Sequence, residues 1–241
     1  MIFDVVLFTA SLVAGAIAAI SGFGIGSILT PVVSTQIDTK VAVAVVSIPH
    51  VIGTLVRFIR LRRHVNRRVA FTFGVASAVG GLGGAVLNAY VSGPTLGYIL
   101  GTLLVFAGLS GISGFADRIQ LRGPLSWIGG FVSAALGGLV GNQGGIRSAA
   151  MLGFHLTKES FVATATAIAL VVDGARVPVY LVSQHEEMLS LWPIMLLSTA
   201  GVVAGTLAGS RLLKRIPEAT FKRIVAALVL SLGIFMLFRP L

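Results

Sequence analysis

Two short clusters in an otherwise apolar chain carry residues suited to holding an anion: Ser21-Gly-Phe-Gly-Ile-Gly-Ser27 and Gly141-Asn-Gln-Gly-Gly-Ile-Arg147. Glycine costs a helix roughly 1 kcal/mol per residue relative to alanine, so clusters of this density break helices. A break frees backbone N–H groups, and the helix start that follows it carries partial positive charge. Ser21, Gly22, Gly24, Gly26 and Ser27, flanked by Thr30, are the candidate binding residues of the first cluster. Asn142, Gln143, Gly144, Gly145 and Arg147 are those of the second. An arginine beside two N–H-rich helix starts suits an anion with several oxygens, because its planar fork donates to two of them at once. A blander reading stays open: the glycines only let helices cross closely, and Arg147 snorkels toward a membrane face.

Few other polar residues interrupt the apolar runs. His50 follows Pro49 and lies about ten residues before Arg60, a depth of about 15 Å at 1.5 Å per residue, hence near mid-membrane. Asp173 and Arg176 stand at i, i+3, spaced to pair on one helix face, with Arg176 a second candidate for substrate charge. Ionisable groups at such depth are costly and usually functional. His50 and Asp173 are therefore candidate coupling residues, His50 as a proton carrier near neutral pH; a satisfied core histidine and a structural ion pair compete with those roles. Arg57 and the loop Arg60-Leu-Arg-Arg-His-Val-Asn-Arg-Arg68 read as topology determinants and contacts for anionic lipid.

These residues must be positioned by membrane helices. Hydrophobic residues make up 56% of the 241 positions and charged ones only 11%, where a soluble domain needs roughly 25% to wet its surface. Mean hydropathy is +0.98. About eight apolar runs fill the chain, near 2–34, 41–59, 69–91, 95–116, 124–154, 160–182, 189–210 and 221–238. Between them lie short connections, Ser92–Pro94 and Ser183–Glu187 among them. The first and fifth runs are too long for one ordinary span, and both contain a glycine cluster.

Composition also excludes functions. The net charge of +10 sits in short connections rather than on a surface face, which argues against a nucleic-acid partner. The chain has no cysteine, so disulfides, thiolate catalysis and thiolate metal sites are out. The histidines His50, His64, His155 and His185 are scattered, no Walker loop occurs, and Gly22-Phe-Gly24-Ile-Gly26 lacks the strand context of a dinucleotide loop. No metal, cofactor or enzymatic activity is expected. The first run carries Asp4 in place of a basic leader and reads as part of the mature membrane protein.

The chain aligns with itself at a shift of about 120 residues: Gly24 falls on Gly144, and Gly80 and Gly84 fall on Gly201 and Gly205 one position further along. This predicts two repeats, 1–118 and 119–241, in one membrane domain. Their equivalent loops differ in charge: Arg60–Arg68 is basic and Ser183–Glu187 acidic, whereas Ser92–Pro94 is uncharged and Arg211–Arg223 basic. The positive-inside rule then places equivalent loops on opposite sides. Inverted repeats, each a glycine-broken or re-entrant segment plus three transmembrane helices, satisfy that charge pattern. Paired breaks near the midplane are where inverted-repeat carriers bind substrate.

At the two glycine motifs the chain resembles the sulfite exporter TauE/SafE family of membrane permeases. Gly22-Phe-Gly24-Ile-Gly26 with Pro31 five residues on matches the first family motif. Gly141–Gly145 matches the second in part, with Ile146 in place of a glycine and Met151 in place of the proline, which makes Asn142, Gln143 and Arg147 candidates for tuning the substrate. The resemblance implies an all-helical permease of the bacterial inner membrane that moves sulfite or a short organosulfonate. From His50 and Asp173, protons are a candidate coupling ion, and the sequence admits a homo-oligomer. A passive anion channel built from two re-entrant segments is the alternative.

Overall fold

A computed structural model describes residues 1–115, 121, 123–142, 144–154, 156–212 and 217–238. Its elements are α1 (Ile2–Ser21), α2 (Ile25–Ser34), α3 (Thr39–Leu61), α4 (Arg67–Tyr90), α5 (Gly93–Ser113), α6 (Pro124–Val140), α7 (Gly144–Leu152), α8 (Lys158–Ser183), α9 (His185–Ser190), α10 (Trp192–Leu212) and α11 (Glu218–Phe238), with a 3-10 turn at Arg62–His64. No strand occurs among the described residues. Among the described residues, seven helices are long and apolar enough to cross a membrane: α1, α3 with its 3-10 turn, α4, α5, α8, α10 and α11.

Local chemistry explains the boundaries. Gly22 ends α1 at φ 80° and Gly141 ends α6 at φ 76°, in a left-handed region that a side chain disfavours. Each donates its N–H one turn back, to Ala18 and Gly137. The starts of three long helices, α3, α4 and α8, are capped by side chains. Asp38 accepts from the Lys40 N–H at 2.8 Å, Asn66 from Val69 at 3.1 Å and Thr157 from Ser160 at 3.3 Å. Helix ends thus fall on both glycine clusters. The fifth apolar run divides into α6, of 17 residues, and α7, of 9.

Two expected connections are corrected. Ser92–Pro94 is already helix from Gly93, because proline suits the first turn, where its missing N–H has no partner to lose. Ser183–Glu187 is divided between the end of α8 and the start of α9, with Gln184 buried between them at 3% exposure.

The helices pack across the middle of the sequence: α1 lies on α10, α4 on α6, and α5 on α11. Backbones touch there. A Cβ on Gly80 or Gly84 would strike the carbonyls of Phe131 and Ala135 on α6, and one on Gly205 would strike that of Leu12 on α1. Small residues give apolar helices the dispersion contact that lipid-exposed surfaces cannot supply by exclusion of water. In the interior α3 runs against α8. Ser47, His50, Thr54 and Arg57 on α3 and Thr166, Asp173, Arg176 and Tyr180 on α8 are buried at helical spacing, so each helix turns a polar stripe inward.

Candidate functional site

The two glycine clusters meet. A Cβ on Gly26 would overlap the carbonyl oxygen of Gly141, so only glycine permits this approach. Beside that contact Ser27 Oγ donates to Asn142 Oδ1 at 3.0 Å, tying the start of α2 to the residue that follows α6. Ser21 is occupied by its own turn, donating to the carbonyls of Ile17 at 2.9 Å and Phe23 at 2.8 Å. Gly24, at φ 122°, is the residue before α2 and can be held there only by glycine. Thr30 Oγ1, fully buried, has no hydrogen-bond partner and faces Gly141. Gly144 and Gly145 open α7. Gln143 lies outside the described residues.

A charged network sits next to the crossing. Asp173 is 1% exposed and accepts at both oxygens: His50 Nδ1 at 2.8 Å on Oδ2 and Arg176 Nε at 2.8 Å on Oδ1. A carboxylate only accepts, so His50 carries its proton on Nδ1 in this arrangement. Arg176 also donates from Nη1 to the Gly137 carbonyl at 2.7 Å, Tyr180 OH donates to Gly138, and Asn88 Nδ2 donates to Leu139 at 2.8 Å. Three successive carbonyls near the end of α6 thereby accept from side chains, that of Gly137 in addition to the Gly141 N–H. Water is not there to do it in a bilayer interior, and an orphan carbonyl costs several kcal/mol. Arg176 is fully engaged in holding this helix end.

Two other arginines are not. Arg57, 3% exposed, donates from Nε to Thr166 Oγ1 at 2.9 Å and from Nη2 to Thr54 Oγ1 at 3.5 Å, leaving Nη1 without a partner. Arg147, 4% exposed, donates from Nη1 to the Ala165 carbonyl at 3.3 Å and leaves Nη2 without one. Both guanidiniums are anchored on one turn of α8, and Gly22 abuts the same turn, with a Cβ there falling 3.6 Å from that of Ala165. Arg147 lies within electrostatic reach of Arg57, Arg176 and Asp173.

The structure therefore brings Gly26 and Ser27 onto Gly141 and Asn142, sets Arg57 and Arg147 against α8, and forms the Asp173–Arg176 pair that the spacing predicted. Arg147 is inside the bundle rather than at a membrane face. One expectation is overturned: Arg57 is not a topology residue at the lipid surface but a buried cation bound to Thr166. The sequence did hold a signal. Arg57 and Arg176 are 119 positions apart, as are the helix-ending Gly22 and Gly141 and the caps Asp38 and Thr157. At that shift Thr54 falls on Asp173, so Thr54–Arg57 repeats Asp173–Arg176 without the carboxylate. A shift of 120 sets Thr54 against Gly174 and hides the match.

Comparison with known proteins agrees with the motifs. A family model described as Sulfite exporter TauE/SafE matches residues 7–236. No curated protein and no solved structure matches the chain. With seven helices among the described residues long and apolar enough to cross a membrane and a match over nearly its full length, the chain is a multi-pass membrane protein that belongs to the sulfite exporter TauE/SafE family of transporters.

Proposed function

We propose that the chain is a secondary transporter for a small sulfur-containing oxyanion, sulfite or a short organosulfonate, across a bacterial inner membrane. Alternating access takes place around the crossing of the two glycine breaks. The single observation that carries the reading is the pair of buried arginines, Arg57 and Arg147, both anchored on one turn of α8 and each with an unpartnered nitrogen. A guanidinium buried without a full set of acceptors is costly unless a ligand completes it. The Asn142 amide nitrogen, held by the bond from Ser27 to its oxygen, and the start of α7 at Gly144 and Gly145 supply further donors.

The proposal includes the inverted repeat. Exchange of partners supports it: α1 on α10 repeats α6 on α4, each formed by glycines against carbonyls, and α3 faces its counterpart α8 at the centre. Rocking of one set against the other would open the crossing to either side. His50, bound to Asp173, is the proposed proton carrier, since loss or gain of its proton alters the balance on Asp173 and Arg176. Membership in an exporter family favours a carrier over a passive pore.

Flux into proteoliposomes tests the reading. A carrier saturates with sulfite, exchanges external for trapped substrate, and loses both properties in Arg147→Ala. Flux that rises linearly with concentration and shows no exchange would refute the carrier mechanism. Absence of any sulfite or sulfonate flux would refute the substrate class.

A further inference from the structure

We infer that Arg57 and Arg147 form one binding site selective for a doubly charged oxyanion, with Thr54 and Thr166 orienting Arg57 and the Ala165 carbonyl orienting Arg147. The inference rests on the transport reading above and gives its substrate a charge. Among the described residues, the charged side chains buried in the protein are Arg57, Arg147, Arg176 and Asp173. Asp173 neutralises Arg176, whose Nε it binds at 2.8 Å, and its other oxygen is taken by His50. Two arginine charges are left over, and they belong to the two side chains with an unpartnered nitrogen. A protonated His50 would add a third uncompensated charge to the same region, so the neutral form fits the count.

The partners of Arg57 explain why the surplus exists. Thr54 stands three residues before it, where Asp173 stands before Arg176. A hydroxyl there orients the guanidinium, at 3.5 Å from Nη2, without cancelling its charge. Thr166 does the same at Nε, and its own hydroxyl proton goes to the Val162 carbonyl at 2.7 Å, leaving its lone pair for Arg57. The arrangement holds two cations in place and withholds the counter-ions. A dianion with three or four oxygens can accept from both free N–H groups and cancel both charges, whereas a monoanion leaves one buried cation uncompensated.

Binding to the full chain in lipid nanodiscs, measured by calorimetry at fixed ionic strength, tests this. The probes are sulfate and thiosulfate as dianions, methanesulfonate and isethionate as monoanions. The dianions are expected to bind at least about tenfold more tightly, the scale of one charge-assisted contact. Thr54→Asp supplies the missing carboxylate while keeping Arg57, and is expected to weaken the dianions by about tenfold or more while leaving or improving the monoanions. Arg57→Gln should change preference in the same direction. If that variant fails to fold, the wild-type comparison and Thr54→Asp decide. Monoanions that bind wild type as tightly as dianions overturn the inference, as does an equal loss for both classes in Thr54→Asp. Sulfonate flux without dianion preference removes only this inference, whereas no binding or flux of any sulfur oxyanion removes the transport reading with it.

Discussion

Replacing Asp173 by asparagine removes the carboxylate that neutralises the interior network and leaves its shape nearly unchanged. Asp173 and Arg176 are 1% and 2% exposed, and the carboxylate makes two contacts of 2.8 Å, to Arg176 and His50. Each charge-assisted hydrogen bond contributes about 1.5–3 kcal/mol, and an orphaned buried charge raises the loss to about 3–5 kcal/mol. The asparagine oxygen can keep one acceptor contact, so the lower end, about 3 kcal/mol, is expected. For a chain of this length that lowers Tm by roughly 6–12 °C, at about 2–4 °C per kcal/mol. Thermal unfolding in detergent, followed by the fluorescence of Trp127 and Trp192, reads it. The Asp173→Asn, Arg176→Gln double variant removes the orphan cation and should be less destabilised than the sum of the two single changes by at least about 1 kcal/mol. It stays below wild type, because Gly137 loses the donor at 2.7 Å. A Tm for Asp173→Asn within 2 °C of wild type (about 1 kcal/mol or less), or strict additivity, would refute the assignment of Asp173 as the internal counter-ion.

Three further outcomes are expected. Gly26→Ala places a methyl on the Gly141 carbonyl and should destabilise by about 1–3 kcal/mol, whereas Gly83→Ala, with open space around its Cβ, should be neutral or gain up to about 1 kcal/mol; equal Tm values for the two would contradict the crossing. Ser27→Ala and Asn142→Ala each lose the 3.0 Å bond between the breaks, at about 1 kcal/mol, and the double variant should cost no more than the larger single one in the same thermal assay. His50→Gln retains a polar partner for Asp173 but cannot carry a proton, so proteoliposome uptake should persist while its response to an imposed pH gradient disappears; an unchanged response assigns coupling elsewhere.

Much of the fold is legible in the chain because lipid imposes one rule on every residue. A backbone without water must be helical, so long apolar runs give the spans directly. The runs at 41–59 and 69–91 became α3 and α4 with small boundary shifts. The short helix α9 was not legible, since His185–Ser190 carries three ionisable residues in six and lacks the apolar length that marks a span. Glycine clusters gave the helix ends at Gly22 and Gly141, because positive φ is a property of single residues. In the site, Asp173 with Arg176 was readable as a local i, i+3 pair. The same local rule does not reach His50, whose partner is 123 positions away.

Arg57 shows the limit most clearly. Three residues from the basic loop, it has the sequence context of a surface charge, yet it is 3% exposed. Only the packing of α3 on α8 decides this, by bringing Thr166 to its Nε. The sequence by itself determined a membrane class, a family and the helix ends at Gly22 and Gly141, all of which depend on composition or on neighbours within one turn. The tertiary structure decided which charges are cancelled and which are left open, because charge compensation in a low-dielectric interior depends on distance between helices.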